Sequence, residues 1–169
     1  AGQIIPARDV AEAIAFMGHL GRNESLLAGE RGGVKLPDFD MGNSPFEFAE
    51  DKVRNKNIVM VTSNGTAAIL SARNARALYL GCLRNRAAVA KMVANTDEDL
   101  VILCSGTDGE CSSDDVLTAG GILRAILDES TDDPQFNDFG QISLWLYRDW
   151  DDGKIDLSDI LHYRTLKEL

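Results

Sequence analysis

Short unbroken runs of branched and apolar residues punctuate this chain, and stretches with helical periodicity lie between them. Asn57–Thr62 (N-I-V-M-V-T), Ala77–Gly81 (A-L-Y-L-G) and Leu100–Cys104 (L-V-I-L-C) are the strongest of these runs. Each reads as a strand covered on both faces, because neither face leaves room for the polar alternation of a half-solvated strand. Gln3–Ile5 and Ser25–Ala28 are shorter examples. The segments between them, Ala7–Leu20, Thr66–Arg73, Asn85–Asn95 and Ser113–Glu129, carry apolar residues at helical spacing, as Val10, Ile14 and Met17 do in the first. The last is preceded by a cap-like Ser112 and opens on Ser113-Asp114-Asp115. Beyond Ser130 the strand-like runs stop, and Phe139–Trp150 and Leu157–Leu169 read as helices, with turns at Asp133-Pro134 and Asp152-Gly153.

Strand, helix, strand in this rhythm predicts βαβ units. The expected fold class is therefore α/β, a three-layer α/β/α arrangement with a mostly parallel sheet and a helical C-terminal part. No repeat, low-complexity tract or linker interrupts it, so residues 1–169 read as a single α/β domain.

Charge and cysteine content narrow the function classes. Seventeen Lys and Arg stand against 27 Asp and Glu, a formal net charge of −10. Nothing in such a chain could neutralise a run of phosphates, so no nucleic-acid partner is expected. No window holds the ~18 consecutive apolar residues of a membrane span. Three cysteines with no C-x-x-C pair fit a reduced, cytoplasmic protein better than a disulfide framework. A homo-oligomer is compatible with the sequence.

In open α/β sheets ligands bind at the carboxyl ends of the strands, so the residues that follow each strand carry the information. After Ser25–Ala28 comes Gly29-Glu30-Arg31-Gly32-Gly33; after Asn57–Thr62 comes Ser63-Asn64-Gly65-Thr66; after Leu100–Cys104 comes Ser105-Gly106-Thr107-Asp108-Gly109-Glu110. A further loop, Met41-Gly42-Asn43-Ser44-Pro45, ends the long connection after the first glycine cluster. Seven of the 15 glycines lie in these four loops, so the enrichment is positional. Glycine lets a backbone approach an anion closely. The Ser and Thr hydroxyls and the amides of Asn43 and Asn64 add neutral donors, and Arg31 adds a cation suited to bidentate oxyanion binding. Glu30, Asp108, Glu110, Asp114 and Asp115 supply hard oxygen ligands of the kind Mg²⁺ prefers. Together these point to a site for a phosphorylated small molecule with a divalent metal.

Each feature also has a purely structural reading. A Gly-rich turn can be no more than a tight turn, Asp114 and Asp115 can serve a helix N-terminus, and Cys104 can be a small core residue or a nucleophile. His19 and His162 stand beside no Ser or Cys in a catalytic pattern, so a Ser-His-Asp triad has no support. No G-x-x-x-x-G-K-[ST] or G-x-G-x-x-G occurs. A calcium loop around Gly153 would put Arg148 and Trp150 at ligand positions. Asp38-Phe39-Asp40 follows Lys35-Leu36-Pro37 rather than a buried strand. Trp145 and Trp150, in the helical tail, read as core rather than as a partner-binding surface.

Taken in order and spacing, the blocks Gly29-Glu30-Arg31-Gly32-Gly33, Gly42-Asn43-Ser44-Pro45, Thr62-Ser63-Asn64-Gly65-Thr66, Asn85, and Cys104-Ser105-Gly106-Thr107-x-Gly109 with Ser112-x-Asp114-Asp115 resemble those of the 2-phosphosulfolactate phosphatases. The resemblance runs from about Gln3 to Gly120, with a looser echo at His162-Tyr163-Arg164-x-Leu166. It implies a three-layer α/β/α enzyme that uses Mg²⁺ to hydrolyse the phosphate ester of a small phosphorylated acid, a reaction of coenzyme M biosynthesis in some organisms. On this basis Glu30 and Asp115 are expected to act as metal ligands or acid–base groups, with Asp114 as a further ligand and Cys104 as a nucleophile candidate. Arg31, Gly32, Asn43, Ser44, Asn64, Gly65, Thr66, Asn85, Gly106 and Thr107 are expected to bind substrate. The chain departs from the family pattern at Asp114, usually Glu, and at Ser105, often Ala. The family's opening Asp-Val-x-Arg-Ala-[ST] strand does not precede Ala1, and its usual acidic C-terminal segment does not follow Leu169, so the chain reads as an internal fragment. A non-catalytic small-anion-binding domain is the alternative function.

Overall fold

A computed structural model describes residues 2–157. They separate into two compact units. One comprises the described residues up to Ala75, together with Thr107–Gly109; the other comprises Arg76–Gly106 and the described residues from Glu110 onward.

The first unit is built on a four-stranded, mostly parallel sheet in the order β1-β4-β2-β3. Its strands are β1 (Ile4–Pro6), β2 (Ser25–Arg31), β3 (Val34–Lys35) and β4 (Asn57–Val61). β4 lies between β1 and β2 and is parallel to both, with Leu27 opposite Val59 and Ile5 opposite the same residue on the other side. Alternation along the strands sends side chains to two cores. Leu27, Val59 and Val61 face Ala13 and Met17 of helix α1 (Val10–Leu20), while Ala28 and Ile58 face Met41 and Val53, the latter in helix α2 (Glu50–Val53). A sheet covered on both faces is what continuous apolar strands require. The α/β class and its parallel sheet thus stand as expected.

Helix α1 begins three residues later than its periodicity suggests. Asp9 is extended and its Oδ1 accepts the Glu12 N–H at 2.8 Å, which makes it the N-cap. Pro6 continues β1 instead, so Ala7 and Arg8 belong to the strand-to-helix turn. Helix α3 (Gly65–Ser71) follows β4. Since β1, β2 and β4 run the same way, their carboxyl ends and the loops that follow them share one edge of this sheet.

The second unit is helical: α4 (Arg86–Val93), α5 (Ser113–Glu129) and α6 (Asp138–Asp151). The α5 bounds coincide with the expected ones, and α6 is one residue longer at each end. Asn137 caps α6 by accepting the Gly140 N–H at 2.9 Å. Ala90, Ile122, Leu123 and Ile126 form one core, and Leu117, Tyr147 and Leu157 another.

Two of the three strongest apolar runs, 77–81 and 100–104, form no strand among the described residues. This corrects the expectation of strands there, and the physical reason is visible in their exposure. Ile102 packs on the Ile122 core, and a side chain at Gly81 would meet Ile122, so the two runs lie along the helices. Leu80 is nevertheless 59% exposed and Val101 82%. An apolar sequence supplies the propensity for a strand, but a strand exists only where a neighbour takes up its backbone hydrogen bonds. The expected helix at Leu157–Leu169 lies outside the described residues except for Leu157, which is irregular, and so does His162.

Candidate active site

On the first unit, the residues after β2 are shaped by a hairpin. Arg31 pairs with Val34 across Gly32 and Gly33, and β3 returns antiparallel to β2. Both glycines have positive φ, 59° and 78°. Two consecutive left-handed residues in a two-residue connection make the type I′ turn whose twist suits paired strands, and Gly-Gly meets that demand without steric cost. The sequence offers the pair as part of an anion cradle; its conformation belongs to the hairpin. Their N–H groups point inward: that of Gly32 donates to Ser63 Oγ at 3.0 Å and that of Gly33 to Glu30 Oε2 at 2.7 Å.

Glu30 is the centre of this arrangement. It is only 6% exposed, and both carboxylate oxygens are engaged. Oε1 accepts the Ser63 N–H at 2.7 Å, and Oε2 accepts the Ser63 hydroxyl at 3.1 Å as well as the Gly33 N–H. Burial by itself raises the carboxyl pKa. The hydrogen bonds from Ser63 and Gly33, with the nearby Arg31 charge, outweigh it and hold Glu30 below the ordinary carboxylate value. A depressed folded pKa gives stability that is present above the unfolded value of about 4.5 and is lost as pH falls through the folded pKa. Thermal melts from pH 7 down to pH 3 are therefore expected to show a steeper loss of stability below about pH 4.5 in the wild type than in Glu30→Gln. Parallel pH curves for the two proteins would contradict this account.

The loop after β4 is equally ordered. The Thr66 N–H donates to Thr62 Oγ1 at 3.0 Å, the Thr62 N–H donates to Thr66 Oγ1 at 3.2 Å, and the Thr66 hydroxyl donates to the Thr62 carbonyl at 3.1 Å. Thr66 is buried, and its hydroxyl is occupied within the loop. Asn64 accepts the Asp108 N–H on Oδ1 at 3.2 Å, which fixes the amide and leaves its NH₂ as the donor for a ligand. Arg31 is exposed and takes part in no salt bridge among the described residues. Met41 pairs beside Ala28, which brings the Gly42-Asn43-Ser44 loop out next to the end of β2. The Gly42 N–H is held by Glu47 Oε2 at 3.0 Å, and Asn43 is exposed.

On the second unit, Asp115 stands in the first turn of α5 and anchors the preceding loop. Its Oδ2 accepts the Gly106 N–H at 2.6 Å and the Ser105 hydroxyl at 3.2 Å, and no hydrogen bond among the described residues ends on Oδ1. Gly106 has φ 69°, and a side chain there would come within 2.6 Å of the Glu110 carbonyl oxygen. Ser112 donates its hydroxyl to Asp114 Oδ1. Desolvation, then the negative charge of Asp115, with Cys111 and Asp114 adding to it, pushes the Cys104 thiol above its usual range. A shift in this direction disfavours the thiolate, the form in which a cysteine acts as a nucleophile. Asn85 accepts the Cys82 N–H on Oδ1 at 2.7 Å and donates to the Leu80 carbonyl at 2.9 Å. Both ends of its amide thus bond the chain before α4.

Of the expected site residues, the geometry leaves Arg31 and Asn43 exposed with no side-chain hydrogen bond among the described residues, and Asn64, Asp114 and Asp115 with polar capacity beyond the bonds they make. It commits Glu30, Gly32, Thr66, Asn85 and Gly106 to internal bonds. Thr107, in the first unit, has an interaction of its own. Sequence reasoning passed over Ser63 as an individual residue, although it is the common partner of Glu30 and Gly32. Among the described residues no three His, Cys, Asp or Glu side chains gather in a form that could hold a metal ion.

Comparison with known proteins agrees with the motif pattern. The family model for 2-phosphosulpholactate phosphatase matches residues 1–169. A protein of Caldanaerobacter subterraneus subsp. tengcongensis named "probable 2-phosphosulfolactate phosphatase" is 39% identical over 170 residues, covering 100% of this chain and 70% of its own length. A protein of the same name from Clostridium beijerinckii is 32% identical over 169 residues, covering 100% of this chain and 71% of its own. Another from Deinococcus radiodurans is 42% identical over 146 residues, 85% of this chain and 60% of its own. With a full-length family match and relatives above 30% identity, this chain belongs to the 2-phosphosulfolactate phosphatase family.

Proposed function

We propose that this protein is a phosphoric monoester hydrolase that cleaves the phosphate ester of 2-phosphosulfolactate or a closely similar 2-phospho-acid, with Mg²⁺ as cofactor. The observation that carries the reading is the family match over residues 1–169. Arg31, Asn43, Asn64 and Gly65 supply a cation and neutral N–H donors for the oxyanions of a ligand rich in phosphate, carboxylate and sulfonate. Three unpaired cysteines fit action in the reducing cytoplasm, where the product could serve coenzyme M synthesis.

The donor set is compatible with Mg²⁺, which keeps most of its waters and needs only one or two protein carboxylates beside substrate phosphate. Asp115, with Oδ1 unengaged among the described residues, and Asp114 would hold it. When bound, the ion neutralises charge on the phosphoryl oxygens. Water is the proposed attacking group, since desolvation and the Asp115 charge disfavour the Cys104 thiolate.

Phosphate release from 2-phosphosulfolactate, measured with and without EDTA and after Mg²⁺ is restored, tests the reading. Turnover that is lost on chelation and regained with Mg²⁺ is the expected result. Saturable binding of the substrate without any phosphate release would instead favour the anion-binding alternative.

A further inference from the structure

We infer that Glu30 is a positioning residue, acting through Ser63 and Gly33 to lock the hairpin that carries Arg31 to the loop that carries Asn64. This rests on the proposed use of Arg31 and Asn64 in substrate binding. The two segments are distant in sequence and follow directly on the paired strands β2 and β4, whose last register pair is Gly29 and Val61, so Glu30 extends that tie beyond the end of the ladder. Oε1 and Oε2 of Glu30 take three hydrogen bonds, two from Ser63 and one from Gly33. Ser63 Oγ completes the circuit by accepting the Gly32 N–H at 3.0 Å. The turn after β2 therefore holds an anion already, and that anion is the protein's own carboxylate.

Several consequences separate this role from that of a metal ligand. A carboxylate whose two oxygens are both bonded to N–H and O–H donors, and which is almost wholly buried, presents little to a cation. Asp115 differs in this respect, since only one of its oxygens is engaged by the described residues. Glu30→Gln can still accept at one atom, but its NH₂ meets the Gly33 N–H or the Ser63 donors as a second donor. The turn and the loop then lose part of the network that joins them beyond the β2–β4 ladder, and the placement of Arg31 relative to Asn64 loosens. Ser63→Ala removes the hydroxyl arm alone and leaves the Glu30 charge in place, so it perturbs the same circuit without changing the net charge of the site.

The test combines hydrogen exchange with steady-state kinetics on Glu30→Gln, Ser63→Ala, Ser63→Thr and the double variant Glu30→Gln/Ser63→Ala. Exchange of whichever of the Gly33 and Ser63 amides faces the glutamine NH₂ is expected to accelerate about tenfold or more in Glu30→Gln, and that of the Gly32 amide in Ser63→Ala, because each loses its acceptor. KM for 2-phosphosulfolactate is expected to rise about tenfold in Glu30→Gln and in Ser63→Ala while kcat stays within about threefold, the mark of lost substrate placement rather than lost chemistry. The double variant should cost little more than either single one, since both break one network. Ser63→Thr, which keeps the hydroxyl, should recover most of the loss. A tenfold or larger rise in the Mg²⁺ concentration giving half-maximal rate in Glu30→Gln, with KM at saturating metal unchanged, would make Glu30 a metal ligand and overturn the proposal. Unchanged amide exchange would overturn it too, and that readout decides the matter even if the wild type shows no turnover and the functional reading itself fails. A fall in KM on loss of the Glu30 charge would show simple electrostatic repulsion of substrate, again against a positioning role.

Discussion

Asp115→Asn is expected to lower kcat/KM for 2-phosphosulfolactate by about 10²–10³-fold, the scale typical of a charged group that acts in a transition state. The substitution is nearly isosteric, and the asparagine carbonyl can still accept the Gly106 N–H that Asp115 Oδ2 now takes at 2.6 Å. The loop before α5 should therefore keep its place, and the thermal midpoint should move by only a few degrees. What disappears is the negative charge on a carboxylate whose second oxygen is not engaged by the described residues. Steady-state kinetics and a thermal melt on the same preparation separate the two effects. Activity within threefold of wild type would remove Asp115 from the proposed machinery. A large loss of stability would instead show that its bonds to Ser105 and Gly106 are its main contribution.

The second large effect concerns the helical unit. Gly120→Ala should destabilise it by about 3 kcal/mol or more, because α5 and α6 meet at this residue with no space for a methyl group. A Cβ there would lie 2.0 Å from the Ser143 carbonyl oxygen, 2.6 Å from its carbon and 2.8 Å from Tyr147 Cβ. These are mostly backbone atoms of a packed helix, so relief requires the helices to separate and not merely a side chain to turn. Gly121 is the internal control. Its Cβ would meet Leu83 Cδ2 at 2.8 Å and Tyr147 Cε2 at 2.9 Å, which are side-chain atoms that can yield. Gly121→Ala should accordingly cost about 1–2 kcal/mol, within the usual range for overpacking. Urea melts of the two variants would measure the difference. A Gly120→Ala cost below about 1 kcal/mol, or one no larger than that of Gly121→Ala, would refute the close-contact account.

The candidate site was legible in its location and less so in its detail. Position in sequence was enough to find the loops, because Gly, Ser, Asn and Thr cluster after the apolar runs. What those residues do with their hydrogen bonds was not. Gly32-Gly33 carries two readings, anion cradle and type I′ turn, and the choice depends on whether the chain returns antiparallel, as Val34–Lys35 does. The apolar–polar alternation across Val34 and Lys35 is a weak signal over two residues. Thr62 and Thr66 stand four apart at a helix start, a spacing that permits reciprocal capping, so their mutual bonds were in principle readable. The bond from Ser63 to Glu30 spans 33 positions, and no local pattern announces it.

The chain's own residues determined the α/β class, the mostly parallel character of the sheet, the bounds of α5 and membership of the family, because hydrophobic period and motif spacing are local properties. Tertiary structure alone decided which polar groups face outward. Glu30 and Thr66 have the chemistry of ligand-binding residues, yet they are buried, buried donors and acceptors must be satisfied, and the nearest partners are in the fold itself. It also decided that 77–81 and 100–104 form no strands among the described residues, for a strand depends on a neighbour's backbone as much as on its own composition.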